Sequence, residues 1–224
     1  VRLARTSATR LKSSRVWVFD LDNTLHNATP HIFPHISRAM TAYLQTHLDL
    51  DEAAANTLRV HYWRRYGATL LGLIRHHPQI NPQHFLWHTH QFPQLHSMLV
   101  AERGLRGLLR YLPGKKILFS NAPEHYARAV LQALNVADLF ADVVCVERTA
   151  YRPKPAAHGF RHVFRMHGIC PSRAIMVEDD LDNLRTAKRL GMRTVWVSDA
   201  SKSPPFVDVR VKSVLQLRRT LNKL

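Results

Sequence analysis

The chain has two cysteines, Cys145 and Cys170, each isolated and without metal-ligand spacing, which excludes a disulfide framework and a cysteine zinc site. A reducing cytoplasmic compartment is the simplest expectation. Eight glycines and 12 prolines in 224 residues are too few for a fibrous or low-complexity polymer. No apolar run reaches the roughly 18 residues of a transmembrane helix, so no membrane partner is expected. Residues 1–15 carry five basic and no acidic side chains but lack the apolar stretch of a secretory signal; they read as a disordered basic arm. No repeat of fixed period occurs. Acidic residues are also scarce, 16 against 32 Lys and Arg, giving a formal charge of +16 with the 15 His neutral. That balance favours polyanionic or phosphorylated partners.

What is present is a foldable composition, 46% hydrophobic and 21% charged. Short apolar runs rich in β-formers recur at 16–20 (VWVFD), 116–120 (KILFS), 142–146 (DVVCV), 174–178 (AIMVE) and 193–197 (RTVWV). Helix-like segments separate the later ones. Fully apolar strands alternating with helices predict an α/β core with a Rossmann-like parallel sheet covered on both faces. The core is expected over 16–26 and 114–224. Residues 27–113 show no comparable strand and hold most of the histidines; this stretch is too long for a connecting loop and predicts an inserted all-helical cap. Helix starts are legible at Asp49 or Asp51 as caps and at Asn81-Pro82.

Polar residues sit where three strand runs end. Asp20-Leu21-Asp22-Asn23-Thr24 follows the first, Ser120-Asn121 the second, and Glu178-Asp179-Asp180 the fourth; Lys154 lies between Pro153 and Pro155. Ligands of open α/β sheets bind in the crevice outside these strand ends. Two carboxylates two residues apart after a buried strand can converge on one site, one for attack and one for proton transfer. Taken alone, the same segment is equally an acidic turn or a helix cap. Its ordered company favours catalysis.

That ordered set resembles the haloacid dehalogenase superfamily of phosphatases, from about residue 15 to 199. VWVFDLDNTL at 16–25, YGATLLGL at 66–73, YRPKP at 151–155 and VEDDLDNL with KRLGMRTVWV at 177–197 look like the pyrimidine 5'-nucleotidase branch with its helical cap. The resemblance implies that Asp20 attacks phosphorus and forms an aspartyl-phosphate, and that Asp22 protonates the leaving oxygen and later takes a proton from water. It implies Mg2+ on the Asp20 carboxylate, the Asp22 backbone carbonyl and Asp179. Ser120 would hydrogen-bond a phosphoryl oxygen and Lys154 would balance charge. Thr24, Asn121, Asn183 and Asp180 would bind phosphate or support the turn, the lysine and the metal. Asp180 stands where the branch usually has Ser, and His26 where Tyr commonly follows DNTL. Because a dehalogenase lacks an acid at the Asp22 position, phosphoryl transfer is favoured over carbon–halogen cleavage.

Substrate choice is expected in the cap, with His26, Arg64, Arg65, Tyr66, Thr69 and Leu70 as candidates. His76-His77 and His88-Thr89-His90 are not a metal-ligand set, having no Cys or acidic partner nearby. The leading expectation is a magnesium-dependent phosphomonoesterase acting on a small phosphorylated metabolite, a pyrimidine nucleoside 5'-monophosphate such as UMP or CMP. The alternative substrates are phosphoglycolate or a sugar phosphate. A nucleic-acid-binding protein with a vestigial site is the alternative of another class, disfavoured because no nucleic-acid motif is present and the acidic-plus-Lys set is complete. Nearly two thirds of the positive excess lies in residues 1–15 and 200–224, whereas six of the 16 acidic residues fall in the two acidic motifs.

Overall fold

A computed structural model describes residues 15–224; the basic arm, apart from Arg15, lies outside the described residues. Six strands form one sheet: β1 (Val16–Phe19), β2 (Lys115–Phe119), β3 (Asp142–Val144), β4 (Ala174–Glu178), β5 (Arg193–Val197) and β6 (Val209–Val211), in the order β3-β2-β1-β4-β5-β6. Every pairing is parallel. Alternate side chains of each strand face opposite layers, as a pleated strand requires. Trp17 and Phe19 of β1 enter one core and Val18 the other; Leu118 of β2 joins the first and Ile117 and Phe119 the second. Burial on both faces explains why these strands read as continuous apolar runs. β6, with Arg210 at its centre, has no such run and is an edge strand.

The first core is covered by α6 (Leu105–Tyr111), α7 (Glu124–Ala133) and the C-terminal segment that includes α10 (Leu217–Thr220). The second is covered by α8 (Ala157–His167) and α9 (Leu181–Arg189). The chain leaves β1 for β2 and β3 on one side and returns to β4 on the other, so the strand order reverses at β1. A crevice opens at such a reversal, beyond the carboxyl ends of the strands.

Between β1 and β2 the chain forms α1 (Ile32–Leu48), α2 (Glu52–Tyr66), α3 (Thr69–His76), α4 (Pro82–Thr89), the single turn α5 (Leu95–Met98) and α6. Asp51, rather than Asp49, caps α2: its carboxylate accepts from the Ala54 N–H at 2.7 Å, while Asp49 takes the left-handed position that ends α1. Asn81 caps α4 ahead of Pro82. Tyr43, Leu44, Tyr62, Leu73, Phe85 and Leu86 on α1–α4 form a third core, which Val146 joins from the segment after β3. α6 does not share it; Leu105, Leu108 and Leu109 pack on the sheet, as do Ala28 and Ile32. The 27–113 stretch therefore feeds two cores. Among the described residues, no helix is long and apolar enough to cross a membrane.

Gly72 marks the crossing of α3 on α2, where an added Cβ would fall 2.1 Å from Tyr62 Cγ. Gly72→Ala is expected to cost about 1–3 kcal/mol by overpacking, lowering the melting temperature by about 2–4 °C per kcal/mol. Gly107→Ala, on the open face of α6 with nothing within 4 Å of the new Cβ, is expected to leave it unchanged or raise it. Paired thermal melts check both.

Candidate active site

Asp20 is the first residue beyond β1, and its N–H still donates to the Val177 carbonyl at 3.0 Å, extending the β1–β4 ladder. Its side chain is therefore fixed against the end of β4. There Glu178 is buried, and Lys154 arrives from the loop between β3 and α8. Lys154 Nζ donates to Asp20 Oδ1 and to Glu178 Oε2, both at 2.6 Å. Asn121 holds that loop by a reciprocal pair: the Lys154 N–H donates to Asn121 Oδ1 at 2.7 Å, and Asn121 Nδ2 donates to the Lys154 carbonyl at 3.0 Å.

Glu178 is fully committed. Oε2 also accepts from Asn183 Nδ2 at 3.0 Å, and Oε1 accepts from the N–H groups of Asp179 and Asp180 at 3.1 and 3.3 Å. Burial pushes Asp20 up to about 7, with Glu178 adding to the rise and Lys154 opposing it. Burial also pushes Glu178 up to about 7 and, with the Asp20 charge beside it, Asp179 up to about 6. Lys154 is held above the usual lysine range by its two carboxylates. Oxygens of Asp20, Glu178 and Asp179 lie within 4.8 Å of one another. With Glu178 occupied by Lys154, Asn183 and backbone N–H groups, Asp20 and Asp179 are the carboxylates left to face a cation. An all-oxygen donor set of this kind suits Mg2+.

The remaining motif residues divide by position. The Ser120 hydroxyl, buried at the end of β2, accepts from the Ala122 N–H at 3.1 Å. The buried Thr24 hydroxyl has no partner among the described residues. Asp180 is the N-cap of α9, its Oδ1 accepting from the N–H groups of Asp182 and Asn183, both at 2.9 Å. That explains its place beside Asp179 without a metal bond.

A cleft of about 640 Å³ runs from Asp22 and Asn121 to α1, α2 and α3. Arg64, Thr69 and Leu70 line it with Phe33, Arg59 and Trp63. The other three cap candidates lie elsewhere. His26 is buried against Asp22, with Nε2 2.9 Å from Asp22 Oδ1. The Tyr66 hydroxyl pairs with His76 Nε2 at 2.6 Å, and Arg65 is exposed. Three further groups have roles that the sequence motifs do not assign. Glu178 secures Lys154, and its only signal is an acidic residue ending an apolar strand. The Tyr126 hydroxyl donates to Asp22 Oδ1 at 2.7 Å from α7. Arg59 reaches the cleft with its Nε buried and unpartnered.

Comparison with known proteins agrees with this geometry. The haloacid dehalogenase-like hydrolase family matches residues 15–191. A phosphoglycolate phosphatase of Pseudomonas putida is 25% identical over 197 residues, covering 82% of this chain and 69% of that protein. Phosphate metabolism protein 8 of Saccharomyces cerevisiae is 26% identical over 193 residues; the alignment covers 80% of this chain and 60% of that protein. In structure, a HAD phosphatase from Thermococcus onnurineus superposes with a TM-score of 0.65 at 19% identity, covering 93% of this chain and 98% of that one. A magnesium-bound HAD-hydrolase from Bacillus subtilis gives 0.62 at 17% identity, covering 94% and 100%. An L-2-haloacid dehalogenase from Xanthobacter autotrophicus gives 0.60 at 16%, covering 93% and 98%, so the fold accommodates more than one reaction. With the family matched along most of its length and the acidic cluster at the sheet's switch point, the chain belongs to the haloacid dehalogenase-like hydrolases.

Proposed function

We propose that the protein is a magnesium-dependent phosphomonoester hydrolase working through an aspartyl-phosphate on Asp20. The carrying observation is the Asp20–Lys154–Glu178 triad with Asp179 beside it and Asp22 two residues on, facing the cleft. A nucleophile, a counter-charge, a cation position and a proton donor are thereby on one strand-end platform.

In the first step an Asp20 carboxylate oxygen forms a bond to phosphorus as the bond to the leaving oxygen breaks, and Asp22 delivers its proton to that oxygen. In the second, water attacks the aspartyl-phosphate, Asp22 takes the water's proton, and Asp20 is released as carboxylate. Lys154 keeps Asp20 oriented and offsets its charge, and Ser120, close by at the end of β2, donates to the phosphoryl group. Asp20 and Asp179 would hold Mg2+, which supplies electrophilic polarisation of the phosphoryl oxygens.

For the substrate, the named relatives move the first choice from pyrimidine nucleotides to phosphoglycolate or a similarly small phosphate. Arg59 and Arg64 in the cleft give a carboxylate on the leaving group two cationic partners. Pyrimidine nucleotides remain the second reading, favoured by one observation: the cleft has the volume of a small-molecule site and presents Trp63 and Phe33 to its occupant.

Phosphate release from phosphoglycolate, sugar phosphates, UMP and CMP with Mg2+ is expected to rank phosphoglycolate first. Asp20→Asn is expected to reduce release by about 10³-fold or more. Release undiminished by that substitution would remove Asp20 from the chemistry, and a profile led by UMP and CMP would restore the nucleotide reading.

Carboxylates whose folded values are raised bind more protons folded than unfolded, so between about 4 and 7 their contribution to stability falls as pH rises. Cation binding opposes that fall. Millimolar Mg2+ is therefore expected to raise the melting temperature at pH 7.5 and to lose this effect by pH 5, and Asp179→Asn to weaken it. Melts at the two pH values check this.

A further inference from the structure

Asp22 is tied down by residues outside the motifs that carry the chemistry. Tyr126 Oη, on α7, donates to Asp22 Oδ1 at 2.7 Å, and His26 Nε2 lies 2.9 Å from the same oxygen. Neither partner is free to swing away. Tyr126 is 1% exposed, with its ring against Phe92 and His90 at centroid distances of 5.1 and 5.8 Å, and His26 is 4% exposed. His26 Nδ1 is buried with no partner among the described residues. A neutral imidazole has one N–H, and among the described residues the acceptor offered to this ring is Asp22 Oδ1, so that hydrogen belongs on Nε2.

Both donors therefore converge on one carboxyl oxygen. In a protonated carboxyl group the carbonyl oxygen accepts hydrogen bonds and the hydroxyl oxygen donates. Two donors on Oδ1 make it the accepting oxygen and leave Oδ2 to carry the exchangeable proton. A flip of the carboxyl plane would place the hydroxyl oxygen against two donors, at the cost of two buried hydrogen bonds. Asp22 also lines the cleft in which a leaving group would lie.

We propose that Tyr126 and His26 are positioning residues that fix Asp22 with Oδ2 turned to the leaving oxygen of the phosphoester. The proposal rests on the phosphatase reading above. As the phosphorus–oxygen bond breaks, the Oδ2 proton passes to the leaving oxygen and the electron pair of the O–H bond stays on Asp22. Tyr126 and His26 continue to donate to Oδ1 of the resulting carboxylate. Neither residue touches the substrate. His26 thus acts on the general acid and not on the substrate.

The distinguishing experiment measures kcat/KM, which reports the steps through departure of the leaving group, on two probes. One is phosphoglycolate, whose alkoxide leaving group needs a proton; the other is p-nitrophenyl phosphate, whose phenolate leaves without one. Tyr126→Phe and His26→Leu are expected to lower kcat/KM on phosphoglycolate by about 10–100-fold, a fraction of what a general acid contributes, and far less on p-nitrophenyl phosphate. His26→Gln, which keeps a side-chain N–H, is expected to recover part of the loss. Parallel falls on both esters would overturn the proposal by showing a merely structural role. A faster phosphoglycolate rate in Tyr126→Phe would overturn it differently, by showing that the contacts restrain Asp22 away from the substrate. If the wild-type protein hydrolyses neither ester, the phosphatase reading fails and takes the proposal with it; p-nitrophenyl phosphate turnover that Asp20→Asn abolishes keeps the two failures separate.

Discussion

One ammonium group between two carboxylates sets the terms for this structure. Lys154 Nζ sits 2.6 Å from both Asp20 and Glu178, and all three residues are under 8% exposed. Burying a charge is tolerable only when it is paired and its remaining hydrogen-bonding capacity is met. Here the supporting bonds come from every direction: Asn183 and two backbone N–H groups on Glu178, and Asn121 on the Lys154 backbone. The triad ties the ends of β1 and β4 to the β3–α8 loop, and Asn121 adds the end of β2. Loss of Lys154 would leave two buried carboxylates with no counter-charge between them. With Asp179 alongside, three carboxylates share one lysine, an imbalance that a divalent cation would relieve.

The sheet order makes that convergence possible. Because β2 and β4 flank β1 on opposite sides, the residues following all three strands share one edge. The insertion after β1 then carries α1–α4 over that edge as a layer built around the third core. Asp22 stands where the two layers meet. It belongs by sequence to the β1 motif and by position to the cleft wall, so it couples the generic chemistry of the strand ends to the shape of whatever fills the cleft.

Strand ends are legible in the sequence because doubly buried strands keep their C-terminal halves apolar, and the polar residue that closes each of the β1, β2 and β4 runs is already at the crevice. That is how Asp20, Ser120 and Glu178 stood out. β6 escaped because an edge strand needs only one buried face. The role of Asp180 was ambiguous for a similar reason: an aspartate after a strand and before a helix serves as ligand or cap, and only the two N–H groups on its Oδ1 decide for the cap. Tyr126 was invisible because an amphipathic helix buries tyrosines for packing alone, and nothing in EHYARAVLQA says that this hydroxyl ends at Asp22. Nearness to YGATL in sequence does not by itself place a side chain in the cleft. Helix α2 turns Arg64 into the cleft and Arg65 out of it, a 100° difference per residue that a motif cannot express.

The charge of the chain gains a different meaning from this arrangement. A basic chain with Asp20, Asp22 and Asp179 at one crevice attracts an anion at long range and repels it at contact. Lys154 offsets part of that contact repulsion, and a cation on Asp20 and Asp179 would offset more. Discrimination among anionic ligands would then fall to cationic groups that are fixed in place. Arg59 meets that requirement: its guanidinium bonds Asn56 at 2.8 Å, burial lowers its pKa, and its Nε remains unpartnered at the cleft. A half-buried guanidinium whose Nε is shielded from water and unmet favours an acceptor on a ligand more than the exposed Arg64 nearby does, because that donor lacks water to compete with. On the proposed phosphatase reading, recognition of the leaving group and activation of the phosphate would fall to differently tethered cations, Arg59 in the helical layer and Lys154 in the β3–α8 loop.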